Sequence, residues 1–313
     1  MWKRLARIYP AHVAVLFMLL AYEIVKAGTQ SHIGFAARQA AFENNTPGAF
    51  LASLGLVQAM GLYPRPPWNA PAWSISTEVW TYLLFGLAFA FLKLRRRAII
   101  VFSGAVILLS YVAILMNPSR EDLYLSVEAG FAFFRCLIGF GIGVLCYNGL
   151  AAAQPRNANA VESGVQIGLM LLACVAASLW LENSPLTLAM PPLFGGLVYL
   201  LAVRRQGLLE RGLLLRPIQF LGRISYSLYI SHTVLRKYVL TAHHMLAPRV
   251  AKYLSPEHVG DLLSLIYVAA AILFGWLVFR YIEVPANAWL LRRAPGKEPL
   301  RGSDDVAGVD PAF

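Results

Sequence analysis

Four stretches of this chain, residues 98–116, 164–181, 186–203 and 262–279, run for 18 or 19 residues without one charged side chain. A helix of that length covers the hydrocarbon core of a bilayer, and inside that core a chain must satisfy its own backbone hydrogen bonds. Composition agrees: 58% of the 313 residues are hydrophobic and 14% are charged, where a soluble domain carries about a quarter charged. The expected fold is all-α, a polytopic integral membrane helix bundle.

Three further windows are long enough but carry charge. They are 72–92 with Glu78, 129–147 with Arg135, and 220–240 with Arg223, His232 and a basic pair near its end. An eighth, 10–25, follows a basic N-terminal cluster. Eight spans are expected. The net charge of +11 does not call for nucleic acid, because the basic residues flank spans. Seventeen Lys/Arg fall on one side of the alternating topology and eight on the other. The positive-inside rule makes the richer side cytoplasmic and puts both termini there. The basic start followed by 13–20 resembles a signal peptide. Pro10 and the lack of a small-residue cleavage pattern before Glu23 favour an uncleaved anchor. Cys136, Cys146 and Cys174 all lie in apolar spans and form no disulfide framework.

Along the chain, Arg4 and Arg7 are three apart and share one helix face, a spacing that suits flanking charge or a phosphate grip. Residues 48–62 are apolar but too short to span, and are expected to be interfacial or re-entrant. The proline-rich run 63–71 leads to Trp73 at the interface. Ser74, Glu78 and Tyr82 are spaced by four, a polar stripe within a span. Glu78 costs several kcal/mol there unless it is paired or lines a wet cavity. Residues 117–128 form a mildly acidic outer loop. Gly139, Gly141 and Gly143 permit close helix approach after Arg135, and Pro191–Pro192 with Gly195–Gly196 predict a kink. His243, His244 and His258 show no metal-ligand spacing, so no metal is expected. Residues 291–313 read as a disordered cytoplasmic tail behind a membrane domain of residues 1–290.

Phe220–His232 holds the densest polar machinery. Read as a helix, Ser225, Tyr229, His232 and Arg236 fall on one face. The topology puts Glu78, Arg135 and His232 at similar depth in the outer half of the membrane. The stripe is therefore expected to face Glu78 and Arg135. A histidine beside a carboxylate can act as general base, and a nearby arginine can hold an anion or oxyanion.

Four motifs carry a resemblance: Arg4-Leu-Ala-Arg7-Ile-Tyr-Pro10, Trp73-Ser-Ile-Ser-Thr-Glu78, Leu221-Gly-Arg-Ile-Ser-Tyr226-Ser-Leu-Tyr229-Ile-Ser-His232, and Ile282-Glu283-Val-Pro285. In this order they resemble the acyltransferase 3 family of bacterial integral-membrane acyltransferases. The resemblance implies transfer of an acyl group, commonly acetyl, from cytoplasmic acyl-CoA to a hydroxyl of a glycan or lipid-linked sugar acceptor. The enzyme would sit in the bacterial inner membrane among lipid. His232 and Glu78 are then the catalytic candidates, Arg4 and Arg7 bind the donor, and Arg135 is the anion or oxyanion partner. Ser74, Ser225, Tyr226, Tyr229 and Glu283 support them. The family's first pair of spans, with its histidine, has no counterpart here. This leaves two other expectations: an inactive paralogue acting as scaffold or regulator, and a small-solute transporter, which the lack of an inverted repeat speaks against.

Overall fold

The computed structural model describes residues 2–33, 40–63, 67–93, 95–116, 131–178, 185–250 and 256–293, with backbone alone at 31–33, 185–186, 240–250 and 256–259. The calls made for 117–128, for the three outer histidines and for the tail after 293 lie outside the described residues or side chains. The chain is a helical membrane bundle. Its elements are α1 (Trp2–Ile33), α2 (Pro47–Leu54), α3 (Trp73–Phe91, entered through a 3₁₀ turn at Ala70–Ala72), α4 (Arg96–Leu115), α5 (Phe131–Leu150), α6 (Ala160–Ser178), α7 (Met190–Val203), α8 (Leu208–Leu213), α9 (Arg216–Val250), α10 (Pro256–Val278) and α11 (Val284–Arg292). A π-helical turn, Phe279–Glu283, joins the last two. Two short strands, β1 (Arg156–Asn157) and β2 (Arg204–Arg205), pair in parallel and tie the loop after α5 to the end of α7.

Among the described residues six helical stretches are long and apolar enough to cross a membrane: Trp2–Gln30, Ala70–Phe91, Arg96–Leu115, Phe131–Leu150, Ala160–Ser178 and Gly260–Arg292. Of the two other expected spans, Thr187–Val203 is apolar but shorter. The other, within α9, has the length, but its polar residues dilute its apolar character.

The core forms around α1. Its buried Ile8, Ala11, Val15, Leu16 and Leu19 follow helical spacing and pack with Ala49, Leu56, Trp68, Ala72 and Ile75, and with Ile230, Val234 and Val278 of α9 and α10. The segment 48–62, expected to be interfacial or re-entrant, packs Ala49, Ser53, Leu56 and Gln58 into the bundle and leaves Leu51 and Leu62 exposed. Its helix α2 is capped by Thr46, whose hydroxyl accepts from Ala49 N at 3.3 Å, with Pro47 opening the first turn. Three carbonyls at and beyond its C-terminus are taken up by side chains. His12 Nε2 donates to Ser53 O (2.9 Å) and Tyr9 OH to Leu54 O (3.1 Å). Leu56 O accepts from both Ser76 Oγ (2.7 Å) and Trp80 Nε1 (2.9 Å). Further along, Asn69 Nδ2 donates to Ile230 O and Thr233 donates to Asn69 Oδ1.

Asn45 ties this segment to α1. Its amide donates to the buried Glu23 carboxylate (2.8 Å) and its oxygen accepts from Trp68 N (2.8 Å). Asn45→Ala strips a buried N–H of its partner, which costs about 1–3 kcal/mol. Thermal unfolding in detergent is expected to show that loss. Leu109→Ala on the exposed face of α4 is expected to change stability by less than about 0.5 kcal/mol. Equal shifts for the two variants would contradict the stitched arrangement.

Candidate functional site

The first turns of α1 bring two arginines against two carboxylates. Arg4 Nη1 donates to Tyr82 OH on α3, and the guanidinium lies 4.4 Å from the Tyr82 ring centroid. Tyr82 OH donates in turn to Glu78, one helical turn earlier. Arg7 Nε lies 3.8 Å from Glu283 Oε1. Glu283 is buried and accepts a hydrogen bond from Ser227 Oγ on α9 (2.5 Å). Next to Ser227, Tyr226 OH donates to the backbone carbonyl of Ile8. Helices α1, α3 and α9 and the π turn therefore meet through charged or hydroxyl groups at the arginine end of α1. Both arginines remain exposed, the Arg7 side chain by 60%, and each keeps further N–H donors for an anion.

The π turn holds Glu283 at this junction. Such turns widen the helix by one residue and recur at functional sites. The family resemblance gave Glu283 a supporting place, and the geometry gives it specific partners in Arg7 and Ser227.

On the other flank of Glu78 lies a recess of about 300 Å³ lined by Trp73, Ser74, Thr77, Glu78, Arg135 and Cys136. Arg135 lies over the Trp73 ring, 5.4 Å from its centroid. The expected meeting of Glu78 and Arg135 is thus present as a shared cavity between α3 and α5. Ser74 Oγ and Thr77 Oγ1 donate to carbonyls of their own chain (Pro71 and Ser74), which leaves the carboxylate and the guanidinium as the charged groups of the recess.

His232 stands apart from it. Its Nδ1 lies 2.7 Å from Tyr229 O and donates to that carbonyl. Tyr267 OH donates to the His232 backbone carbonyl at 3.2 Å. Ser225, Tyr229 and Arg236 are exposed and His232 is half-exposed, while Ile224, Ser227, Ile230, Ser231 and Val234 form the buried face. The stripe therefore looks away from Glu78 and Arg135, contrary to the expectation drawn from depth. The inward face is set by what it meets: Ile230 and Val234 join the apolar core with α1, and Ser227 Oγ donates to Glu283. Leu228, beside it, lies so close to α10 that a Cβ on Gly275 would come within 2.7 Å of its backbone.

Two buried ionisable groups escaped sequence reasoning. His12 is 0% exposed and Glu23 is 2% exposed, both on α1. With Leu16 and Leu19 they share one helix face, and intramembrane ionisable groups are the signal that marks such positions. Glu23 is held by the Phe42 amide, Asn45, Lys26 (3.6 Å) and Lys237 (3.4 Å).

A family model described as an acyltransferase domain, Acyl_transf_3, matches residues 1–280. No curated protein and no solved structure matches the chain.

The junction predicts an asymmetry. Removing Glu283 leaves the buried Ser227 hydroxyl without its acceptor, so Glu283→Ala is expected to cost about 1–3 kcal/mol in detergent unfolding. Arg7→Ala deletes an exposed, long ion pair and is expected to cost less than about 1 kcal/mol. The reverse order would show that Glu283 is not anchored as described.

Proposed function

Since the chain belongs to the acyltransferase 3 family, we propose that it moves an acyl group, acetyl in the simplest case, from acyl-CoA to a hydroxyl of a cell-surface or exported glycan. The membrane is the bacterial inner membrane, with the arginine end of α1 in the cytoplasm, as the excess of Lys/Arg on that side favours. The observation that carries the reading is the link from an exposed arginine through Tyr82 to Glu78 at the edge of a polar recess. It joins a cationic grip to a carboxylate in one short path.

In this reading Arg4 and Arg7 hold the phosphates of acyl-CoA, since a guanidinium fork matches phosphate oxygens. The acyl thioester reaches the recess. Glu78 takes the proton of the acceptor hydroxyl as its oxygen attacks the thioester carbonyl. Arg135 faces the oxygen that becomes negative. The tetrahedral intermediate collapses with C–S cleavage, and the thiolate leaves with the proton returned from Glu78. His232 Nε2 accepts a hydrogen bond from the sugar on the exposed side of α9 and orients it. No tightly bound cofactor or metal enters this scheme; acyl-CoA is a co-substrate.

Membrane vesicles holding the protein, supplied with radiolabelled acetyl-CoA and glycan acceptor, test the roles. Arg4→Ala and Arg7→Ala are expected to raise the donor KM about tenfold with little change in kcat. Glu78→Gln is expected to lower kcat at least about a hundredfold with the donor KM retained. His232→Ala is expected to raise the acceptor KM. Wild-type kinetics from Glu78→Gln would remove the carboxylate from the mechanism.

A further inference from the structure

A second concavity lies away from the charged junction, between α5 and α7. It is a groove of about 450 Å³ whose walls include Ile142, Cys146, Tyr147, Phe194, Val198 and Tyr199. Its polar atoms are few, and Tyr147, Phe194 and Val198 are exposed at 73%, 47% and 61%. The groove extends from Gly139 to Leu150 along α5 and from Pro191 to Ala202 along α7. Eleven helical steps on each wall make it about 16 Å long, close to half of a hydrocarbon core of about 30 Å. The helices meet along it at bare backbone: a Cβ on Gly195 would fall 2.3 Å from the Ile142 side chain.

One end of the groove is strongly basic. Arg96, at the start of α4, donates to Asn148 O at 2.7 Å, two residues before the groove's last wall residue on α5. Arg204 and Arg205 follow Ala202 by two and three residues, and β1 places Arg156 beside Arg204. Glu162 is the carboxylate bound here, taking Arg156 (2.6 Å) and Arg204 (2.7 Å) together, so the cluster keeps a positive excess. An apolar slot of one leaflet's depth, ending at a set of arginines, matches a molecule with an acyl chain and an anionic head.

We propose that this groove is a binding site for an anionic phospholipid, one acyl chain lying between α5 and α7 and the phosphate held at Arg96, Arg204 and Arg205. The site is independent of the acyl-transfer reading and stands or falls without it. In the orientation given above, the lipid belongs to the inner leaflet.

Native mass spectrometry of the detergent-purified protein, titrated with phosphatidylglycerol or with phosphatidylcholine of the same acyl chains, tests it. Phosphatidylglycerol is expected to bind at least about fivefold more tightly. An Arg96→Gln/Arg205→Gln double variant is expected to bring the two lipids within about twofold of each other. Gly143 lines the groove and a Cβ there meets nothing within 4 Å, so Gly143→Phe starts from open space and puts its ring into the slot. That variant is expected to lose binding of both lipids by about fivefold while its unfolding temperature stays near that of wild type. Equal retention of the two lipids by wild type, an unchanged preference in the double variant, or unchanged adducts in Gly143→Phe would each overturn the site. Inorganic phosphate alone reproducing the thermal stabilisation given by phosphatidylglycerol would overturn the acyl-chain half of it.

Discussion

A backbone carbonyl or amide buried in hydrocarbon has no water to turn to, and the centre of this bundle is built on meeting that demand. The segment between α1 and α3 is irregular, yet it carries buried residues such as Ala49, Ser53, Gln58 and Asn69 in the heart of the molecule. It persists because α1, α3 and α9 each spend polar side chains on it. His12 and Tyr9 reach down from α1, Ser76 and Trp80 across from α3, and Asn69 answers to α9. Leu56 and Trp68 hold positive φ angles of 55° and 60°, and the carbonyl and amide at those positions are both bonded. These are unfavourable backbone states for residues with a Cβ, kept by the contacts around them.

The same rule orders the charges. Glu23 gathers two lysines, an amide and an asparagine, while Glu78 and Glu283 face Arg4 and Arg7. All three carboxylates are served by α1 or by partners it positions. Helix α1 is therefore both the core's main apolar wall and the strut that carries the exposed guanidinium pair. Shifting it along its axis would break polar contacts at both ends at once. Its register fixes where the arginines stand relative to the recess at Glu78.

How much of this could be read from residues alone divides along a physical line. Membrane spans were legible because their signal is length without charge. The stretch 48–62 stood out as no ordinary span because it is apolar yet too short. Glu78 and Arg135 line one recess, as two costly groups at one level would, but the link through Tyr82 to Arg4 sets Glu78 level with the arginine end of α1 and not in the outer half where the topology put it. Rotation about a helix axis was not legible by the same means. Ser225, Tyr229, His232 and Arg236 form the more polar stripe of α9, and polarity suggested that it faces inward. The apolar core took in Ile230 and Val234, and Ser227 came with them to bond Glu283, a selection that a polarity argument misses. His12 and Glu23 were hidden differently: they lie in a window read for its average apolarity, and an average erases single ionisable groups.

The orientation of α9 has a consequence for the chemistry. A face bearing Ser225, Tyr229, His232 and Arg236 cannot rest against lipid tails cheaply, since each polar group at membrane depth costs free energy unless water or a partner meets it. That face is therefore suited to a wet or substrate-bearing surface rather than to hydrocarbon. The opposite face of the same helix places Tyr226 and Ser227 at the arginine–carboxylate junction. His232 follows Ser227 by five residues, about 7.5 Å along the axis at 1.5 Å per residue. One rigid helix thus separates the arginine–carboxylate junction at one depth from the His232 imidazole at another. Under the reaction proposed above, that separation keeps the two substrates on distinct approaches, with the recess at Glu78 and Arg135 as the place where they join.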